Sequence, residues 1–185
     1  MLILSKKEVE SQIDTIIAKI QSGAVFIHPT DTIYGLGCLA SNEKAVAKIR
    51  KLKQRPDTPF SIWVPSVEWI KQNAVVDTKT IQKLPGPYTL IVILKKRDNI
   101  AKNVNPQGET QGIRYPYHWF GKIVAQIGQP IITTSVNKHA QPFMTSLEDL
   151  DPDIKKGVEF MIYEGKKVSK PSTIINVVEG SIKER

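Results

Sequence analysis

The sequence predicts one α/β domain over residues 1–185, with a twisted, mostly mixed sheet flanked by helices and a concave basic face. Three observations predict it. Short runs rich in branched and aromatic residues, such as Ala24-Val25-Phe26-Ile27 and Tyr88-Thr89-Leu90-Ile91-Val92-Ile93-Leu94, are bounded by glycine and proline and read as buried strands. Stretches with apolar residues at helical spacing alternate with them, the pattern of strands covered by helices. The chain has 185 residues and is 41% hydrophobic, which suffices for one sizeable core. A net charge of +8, from 26 basic and 18 acidic residues, favours anionic partners such as nucleotides, nucleic acid or acidic membranes.

The N-terminus opens with Ser5-Lys6-Lys7-Glu8, a capping-box pattern. Val9, Ile13, Ile16, Ile17 and Ile20 follow at helical spacing and Gly23 suits a C-cap, so one helix is expected there, its stripe against the sheet. The run 24–27 is a strand, and Pro29 stops it because it has no N–H for a ladder. His28-Pro29-Thr30-Asp31-Thr32-Ile33-Tyr34-Gly35-Leu36-Gly37-Cys38 then reads as a polar loop. Gly35 and Gly37 allow positive φ and close approach of the backbone to a ligand. Thr30, Thr32 and Tyr34 alternate, so in an extended loop their hydroxyls point to one side. That is a cradle for a small polar ligand at the end of a strand; a glycine-rich turn is the plainer alternative. It is neither a Walker loop nor a Gly-x-Gly-x-x-Gly loop.

Asn42-Glu43 starts a second helix whose stripe is Ala45, Val46, Ile49 and Leu52. It ends in Lys51-Leu52-Lys53-Gln54-Arg55-Pro56, where Pro56 disfavours helical geometry at Arg55. If extended, this segment puts Lys51, Lys53 and Arg55 on one face as exposed cations suited to a polyphosphate. A solvated basic helix end is the alternative. Phe60-Ser61-Ile62-Trp63-Val64 is a strand, a short capped helix follows at Ser66, and residues 77–84 suit another. Pro85-Gly86-Pro87 turns into the strong strand 88–94, and residues 95–107 form a basic loop. Gly112-Ile113-Arg114-Tyr115-Pro116 is a short strand closed by proline, in which an arginine is costly unless paired. Residues 118–126 form a helix ended by Gly128 and Pro130. Ile131-Ile132-Thr133-Thr134 is a strand running into Ser135-Val136-Asn137, and the last strands are 159–163 and 173–178.

His28, His118, His139 and Cys38 show no metal-ligand spacing, so no metal site is expected in the protein itself. No His–Cys signature, Ser-His-Asp constellation or paired-carboxylate site is present, which suits a reaction run by positioning and charge. With a single cysteine no internal disulfide forms, no apolar run spans a bilayer, and Met1-Leu2-Ile3-Leu4 lacks a signal-peptide core; the expected location is cytoplasmic, with no membrane contact.

Pro29-Thr30-Asp31-Thr32-x-Tyr34-Gly35-Leu36-Gly37 resembles the signature of the YrdC-like family, the L-threonylcarbamoyladenylate synthases of tRNA modification. Lys53-Gln54-Arg55-Pro56 resembles the family's Lys-x-Arg element, Ile113-Arg114-Tyr115-Pro116 its Val-Arg-x-Pro element, Ser135-Val136-Asn137 its Ser-Ala-Asn turn, and Pro171-Ser172-Thr173 its Pro-Ser-Thr element. The similarity covers about residues 23–178 and implies the short, single-domain form. Three departures stand out: Thr58 where a basic or amide residue is usual, a connection to Pro59 about one residue short, and Lys138-His139 where Ser-Gly often continues.

The resemblance implies that L-threonine, bicarbonate and ATP give L-threonylcarbamoyl-AMP and pyrophosphate, for threonylcarbamoyladenosine modification of tRNA. It places Lys51, Lys53 and Arg55 at the phosphates as catalytic cations, and Thr110, Ser135 and Asn137 at the nucleotide. Thr32, Tyr34, Arg114, Thr133 and Ser172 fall to threonine, Arg114 through its carboxylate. Mg²⁺ arrives with ATP. Implied partners are tRNA or RNA on the basic face and the proteins that transfer the threonylcarbamoyl group onward. Two rivals are an RNA-binding module without catalysis, which lacks an aromatic stacking pattern, and a carbamoyl-phosphate enzyme of hydrogenase maturation, which carries zinc-finger and acylphosphatase modules.

Overall fold

The structure, a computed structural model, describes residues 1–184; Arg185, the last residue of the expected domain, lies outside the described residues. The chain begins with a strand that its sequence did not announce, β1 (Leu2–Leu4), paired in parallel with a strand from the far end of the chain. The capping box is present: the Ser5 hydroxyl accepts from the Glu8 N–H at 3.3 Å, and the Glu8 carboxylate accepts from the Ser5 N–H at 2.7 Å. The helix it starts is divided at Gln12 into α1 (Lys6–Ser11) and α2 (Ile13–Gln21). Ser11 lies at the break and donates its hydroxyl to the Glu8 carbonyl, a local bond that competes with the helical ladder. Val9, Ile16 and Ile20 form the buried stripe, and Gly23 takes the left-handed conformation (φ 101°) past the end.

β2 (Phe26–His28) and β3 (Gly35–Gly37) form an antiparallel pair, so the two glycines sit in a strand, not in a loop. Neither takes positive φ. They are needed for close approach instead: a Cβ on Gly35 would lie 2.5 Å from His28 Cε1, and one on Gly37 would lie 2.9 Å from His28 Cδ2. The fully buried His28 ring stacks on Phe120 at 5.3 Å, and burial lowers its pKa to about 3, so it packs as a neutral ring. Gly35→Ala is expected to cost about 1–3 kcal/mol by overpacking, read as a lower urea midpoint, and to cost less in a His28→Ala background.

The expected elements recur in order, mostly with shorter boundaries. The short strand Ala74–Val75, the 3-10 turn Lys102–Val104 and the last strand Ser181–Lys183 were not expected, and the single strand expected at 131–134 is broken in two at Thr133. The elements after β3 are α3 (Glu43–Lys53, capped by Asn42), β4 (Ile62–Trp63), α4 (Val67–Asn73, capped by Ser66), β5 (Ala74–Val75) and α5 (Thr78–Ile81). After β6 (Tyr88–Leu94), a 3-10 turn (Lys102–Val104) interrupts the basic loop before β7 (Thr110–Arg114), α6 (Gly121–Ile127), β8 (Ile131–Ile132) and β9 (Thr134–Ser135). α7 (Pro152–Gly157), begun by the Asp151 cap and a proline in its first turn, was not expected; β10 (Phe160–Ile162), β11 (Thr173–Asn176) and β12 (Ser181–Lys183) close the chain.

The strands divide between two mixed sheets. One runs β1-β10-β2-β3-β9, the other β12-β11-β6-β7-β4-β8 with β5 added to β6. The larger apolar cluster joins side chains of both, including Ile27, Leu36, Ile62, Leu90, Ile113 and Ile132, with Val46 and Ile49 of α3. The second gathers Phe26, Trp63, Phe120 and Phe160 under α1, α2 and α6. The chain leaves one sheet at β8 and enters the other at β9, and the residue between them is Thr133. A cleft opens at this crossing, where two sets of strand ends face one another.

Candidate active site

The cleft encloses about 140 Å³, and its lining includes Tyr34, Arg55, Arg114, Thr133, Ser135 and Ser172. These six come from five separate stretches of sequence, each beside the start or the end of a strand or helix. Ile33, Gly35, Pro59, Ser61, Thr89, Thr134, Phe143 and Pro171 complete the wall. The lining holds two guanidinium groups and many hydroxyls, and no carboxylate.

Arg114, at the end of β7, donates from Nη2 to Asp31 Oδ1 at 2.9 Å and to the Thr32 hydroxyl at 3.1 Å. The other Asp31 oxygen accepts from the Tyr117 N–H at 3.1 Å. Asp31 is thus the partner that makes a buried arginine in a strand tolerable. It lies inside the quoted signature and was given no role from sequence. The Thr30 hydroxyl donates to the Ile33 carbonyl at 2.7 Å and accepts from the Thr32 N–H at 3.0 Å. Its single proton being committed, the 3.0 Å contact between the two threonine hydroxyls has Thr32 as donor. A chain of bonds therefore runs from Arg114 through Thr32 and Thr30 to the backbone.

The three alternating hydroxyls do not share one side. Thr30 closes a local turn, so the segment bends instead of extending. The Tyr34 hydroxyl is turned to the segment after β10, donating to the Gly165 carbonyl at 2.7 Å and accepting from the Glu164 N–H at 2.9 Å, while burial pushes its pKa to about 12. Ser172, 2% exposed, has its hydroxyl 2.7 Å from that of Thr89. Thr89 escaped the sequence reading because it sits within an apolar strand, where a lone threonine looks like β propensity.

Lys51, Lys53 and Arg55 do not present one cationic face. α3 continues through Lys53, and on a helix residues two apart point to opposite sides. Lys51 is exposed, whereas Lys53 is 1% exposed. Lys53 Nζ donates to the carbonyls of Ser135 (2.5 Å) and Asn137 (2.8 Å) and to Asn137 Oδ1 (2.9 Å), so it pins the Ser135–Asn137 turn. The same Oδ1 accepts from the Ser135 hydroxyl at 2.6 Å. Gln54 takes the left-handed conformation (φ 51°), ends the helix and sends Arg55 to the cleft, where its Nη2 donates to the Pro59 carbonyl at 2.8 Å. Thr110 lies at the start of β7 and is not among the lining residues; its carbonyl accepts from Arg97 and Asn105. Lys138 is held by Asp151 at 3.2 Å and Asp153 at 2.5 Å, and the His139 N–H donates to the Lys53 carbonyl at 2.8 Å.

Burial, followed by the like charge of Arg55, lowers the Lys53 pKa from 10.5 to about 7. Between those values the unfolded chain holds a proton that the folded one has released, so stability rises with pH across the interval and the full penalty applies below it. Denaturant unfolding from pH 7 to 10 is therefore expected to show wild type gaining on Lys53→Met as pH rises. Cys38, buried with its thiol pKa pushed up by desolvation, does not act as a nucleophile.

A family model described as "Telomere recombination" (Sua5_yciO_yrdC) matches residues 18–184. A Methanocaldococcus jannaschii protein named "Putative threonylcarbamoyl-AMP synthase" is 36% identical over 186 aligned positions, covering 97% of this chain and 86% of its own length. The Bos taurus threonylcarbamoyl-AMP synthase is 33% identical over 138 positions, 72% of this chain and 49% of the relative. The crystal structure of Pyrococcus abyssi Sua5 complexed with L-threonine superposes with a TM-score of 0.83 at 25% identity, over 98% of this chain and 55% of that one. The chain thus spans most of the Methanocaldococcus jannaschii relative and about half of the other two.

Proposed function

The chain belongs to the Sua5/YciO/YrdC family, and on that premise we propose that it is an L-threonylcarbamoyladenylate synthase, a nucleotidyltransferase that makes the activated intermediate for threonylcarbamoyladenosine in tRNA. The observation that carries the reading is that one cleft is lined by the Asp31-braced Arg114, a set of hydroxyls and Arg55. An amino acid with a hydroxylated side chain suits Arg114 and the hydroxyls, and a nucleoside triphosphate suits Arg55.

Threonine and bicarbonate condense with loss of water to N-carboxy-threonine. Its new carboxylate attacks the α-phosphorus of ATP, the bond from that phosphorus to the bridging oxygen breaks, and pyrophosphate leaves with the electron pair. The charge that develops lies on phosphoryl oxygens, so fixed cations and alignment supply the rate more than a general base does. Arg114 holds the threonine carboxylate, Thr133 and Ser172 line its side-chain pocket, and Thr32 orients Arg114. Tyr34 anchors the segment beside them. Arg55 takes the phosphates and Ser135 the nucleotide; Asn137, outside the cleft lining, serves the nucleotide only by bracing the Ser135 hydroxyl. Lys53 acts through the turn it pins, while Lys51 and Thr110 stand outside the cleft lining and receive no role. Mg²⁺ would arrive with the ATP phosphates and offset their charge. The product is a reactive mixed anhydride, so a second protein that transfers its acyl group to tRNA is the required partner.

Thermal-shift measurements with ATP, threonine and both test the site: threonine is expected to raise the midpoint more with ATP present than alone. Serine is expected to bind about 5–150-fold less tightly, since the missing methyl is worth about 1–3 kcal/mol in a fitted pocket. Equal stabilisation by serine and threonine contradicts this assignment.

A further inference from the structure

Arg50 has no part in the chemistry above, and it stands on the buried face of α3 among Val46, Ile49 and Lys53. A charge there is costly unless it is fully hydrogen-bonded. Its partners are backbone carbonyls from two loops. Nε donates to Asn103 at 2.7 Å and Nη2 to Val104 at 3.2 Å, both on the turn before β7. Nη1 donates to Arg55 at 3.0 Å and to Thr58 at 3.1 Å, both on the connection from α3 to β4. The guanidinium lies 4.4 Å from the centroid of the Phe60 ring, and the Arg55 guanidinium lies 5.3 Å from the same ring. Asp57 adds a longer-range attraction.

We propose that Arg50 is a positioning residue for the reaction: it fastens residues 54–60 to the body of the protein and so fixes where the Arg55 guanidinium stands in the cleft. The inference rests on the assignment of Arg55 to the ATP phosphates. The connection has no regular structure of its own, and it is the one whose length and Thr58 depart from the family pattern. The carbonyls of Arg55 and Thr58 find their donor in Arg50, and the two guanidiniums share Phe60 as a common surface. An arginine on an unfastened loop loses conformational freedom each time it takes a phosphate; one already fixed does not. Lysine cannot substitute, because a point charge with three donors neither reaches four carbonyls on two loops nor lies flat on an aromatic ring.

The test compares Arg50→Lys and Phe60→Leu with wild type in three measurements: hydrogen exchange of amides 54–60 without ligand, and calorimetric affinity for ATP and for threonine. Arg50→Lys is expected to speed exchange in 54–60 and to weaken ATP binding about tenfold with threonine affinity within about twofold; Phe60→Leu is expected to move both in the same direction by less. In an Arg55→Ala background, Arg50→Lys is expected to cause no further loss of ATP affinity. Unchanged ATP affinity with a lowered unfolding midpoint, or equal losses for both ligands, overturns the proposal and leaves Arg50 a structural residue. If Arg50→Lys does not fold, the Phe60→Leu comparison decides by the same criteria. If wild type binds no ATP, the assignment of the site fails, whereas the exchange rates of 54–60 still decide whether Arg50 fastens the segment.

Discussion

Arg114→Ala is expected to cost about 3–5 kcal/mol of stability and to abolish threonine binding. The Arg114–Asp31 pair is 2.9 Å apart, with side chains only 7% and 11% exposed, so removing the arginine strands a carboxylate in a dry wall. It also withdraws the donor that orients the Thr32 hydroxyl. The two losses separate in the double variant. Asp31→Asn placed on Arg114→Ala removes the stranded charge and is expected to restore much of the stability, while threonine binding stays absent. Denaturant unfolding and threonine calorimetry on the single and double variants read both quantities. Threonine affinity surviving in either variant removes Arg114 from the substrate carboxylate.

Arg55→Ala is expected to weaken ATP binding by about 1.5–3 kcal/mol, a factor on the order of 10–150, with the unfolding midpoint nearly unchanged. Arg55 is only partly buried; its guanidinium donates to the Pro59 carbonyl and lies against the Phe60 ring. Lys53→Ala differs in kind. The sequence suggests an exposed cation that can be removed without harm to folding, but Lys53 is buried against three oxygens. Its loss is therefore expected to lower stability and to release the Ser135–Asn137 turn. Calorimetry with ATP beside melting curves distinguishes the two: affinity alone falls for Arg55→Ala, affinity and midpoint fall together for Lys53→Ala.

The elements that carry strong periodicity or caps were legible in the sequence. The Ser5 box, the Asn42 and Ser66 caps and the strand 88–94 all occur as read. What was missed depends on long-range pairing. β1 is recognisable as a strand only through its parallel partner β10, and β3 looks like a loop because its glycines lack side chains to show a period. Those glycines read as allowing positive φ and close approach to a ligand; what approaches them is the His28 ring and, at Gly37, the Ile132 carbonyl. In the site, motif order located Arg55, Arg114, Ser135 and Ser172, which the fold brings to one cleft. The alternation argument for Lys51, Lys53 and Arg55 failed because it assumed an extended segment where the helix persists to Lys53. Asp31, Thr89 and Arg50 act through partners distant in sequence, and no local pattern marks them.

The central claim is that threonine and ATP react within one cleft, and pyrophosphate release with each component omitted in turn tests it most directly. Release is expected only when ATP, threonine and bicarbonate are all present, and to be lost in Arg114→Ala carrying Asp31→Asn. ATP cleaved equally well without threonine, or inorganic phosphate appearing in place of pyrophosphate, contradicts it.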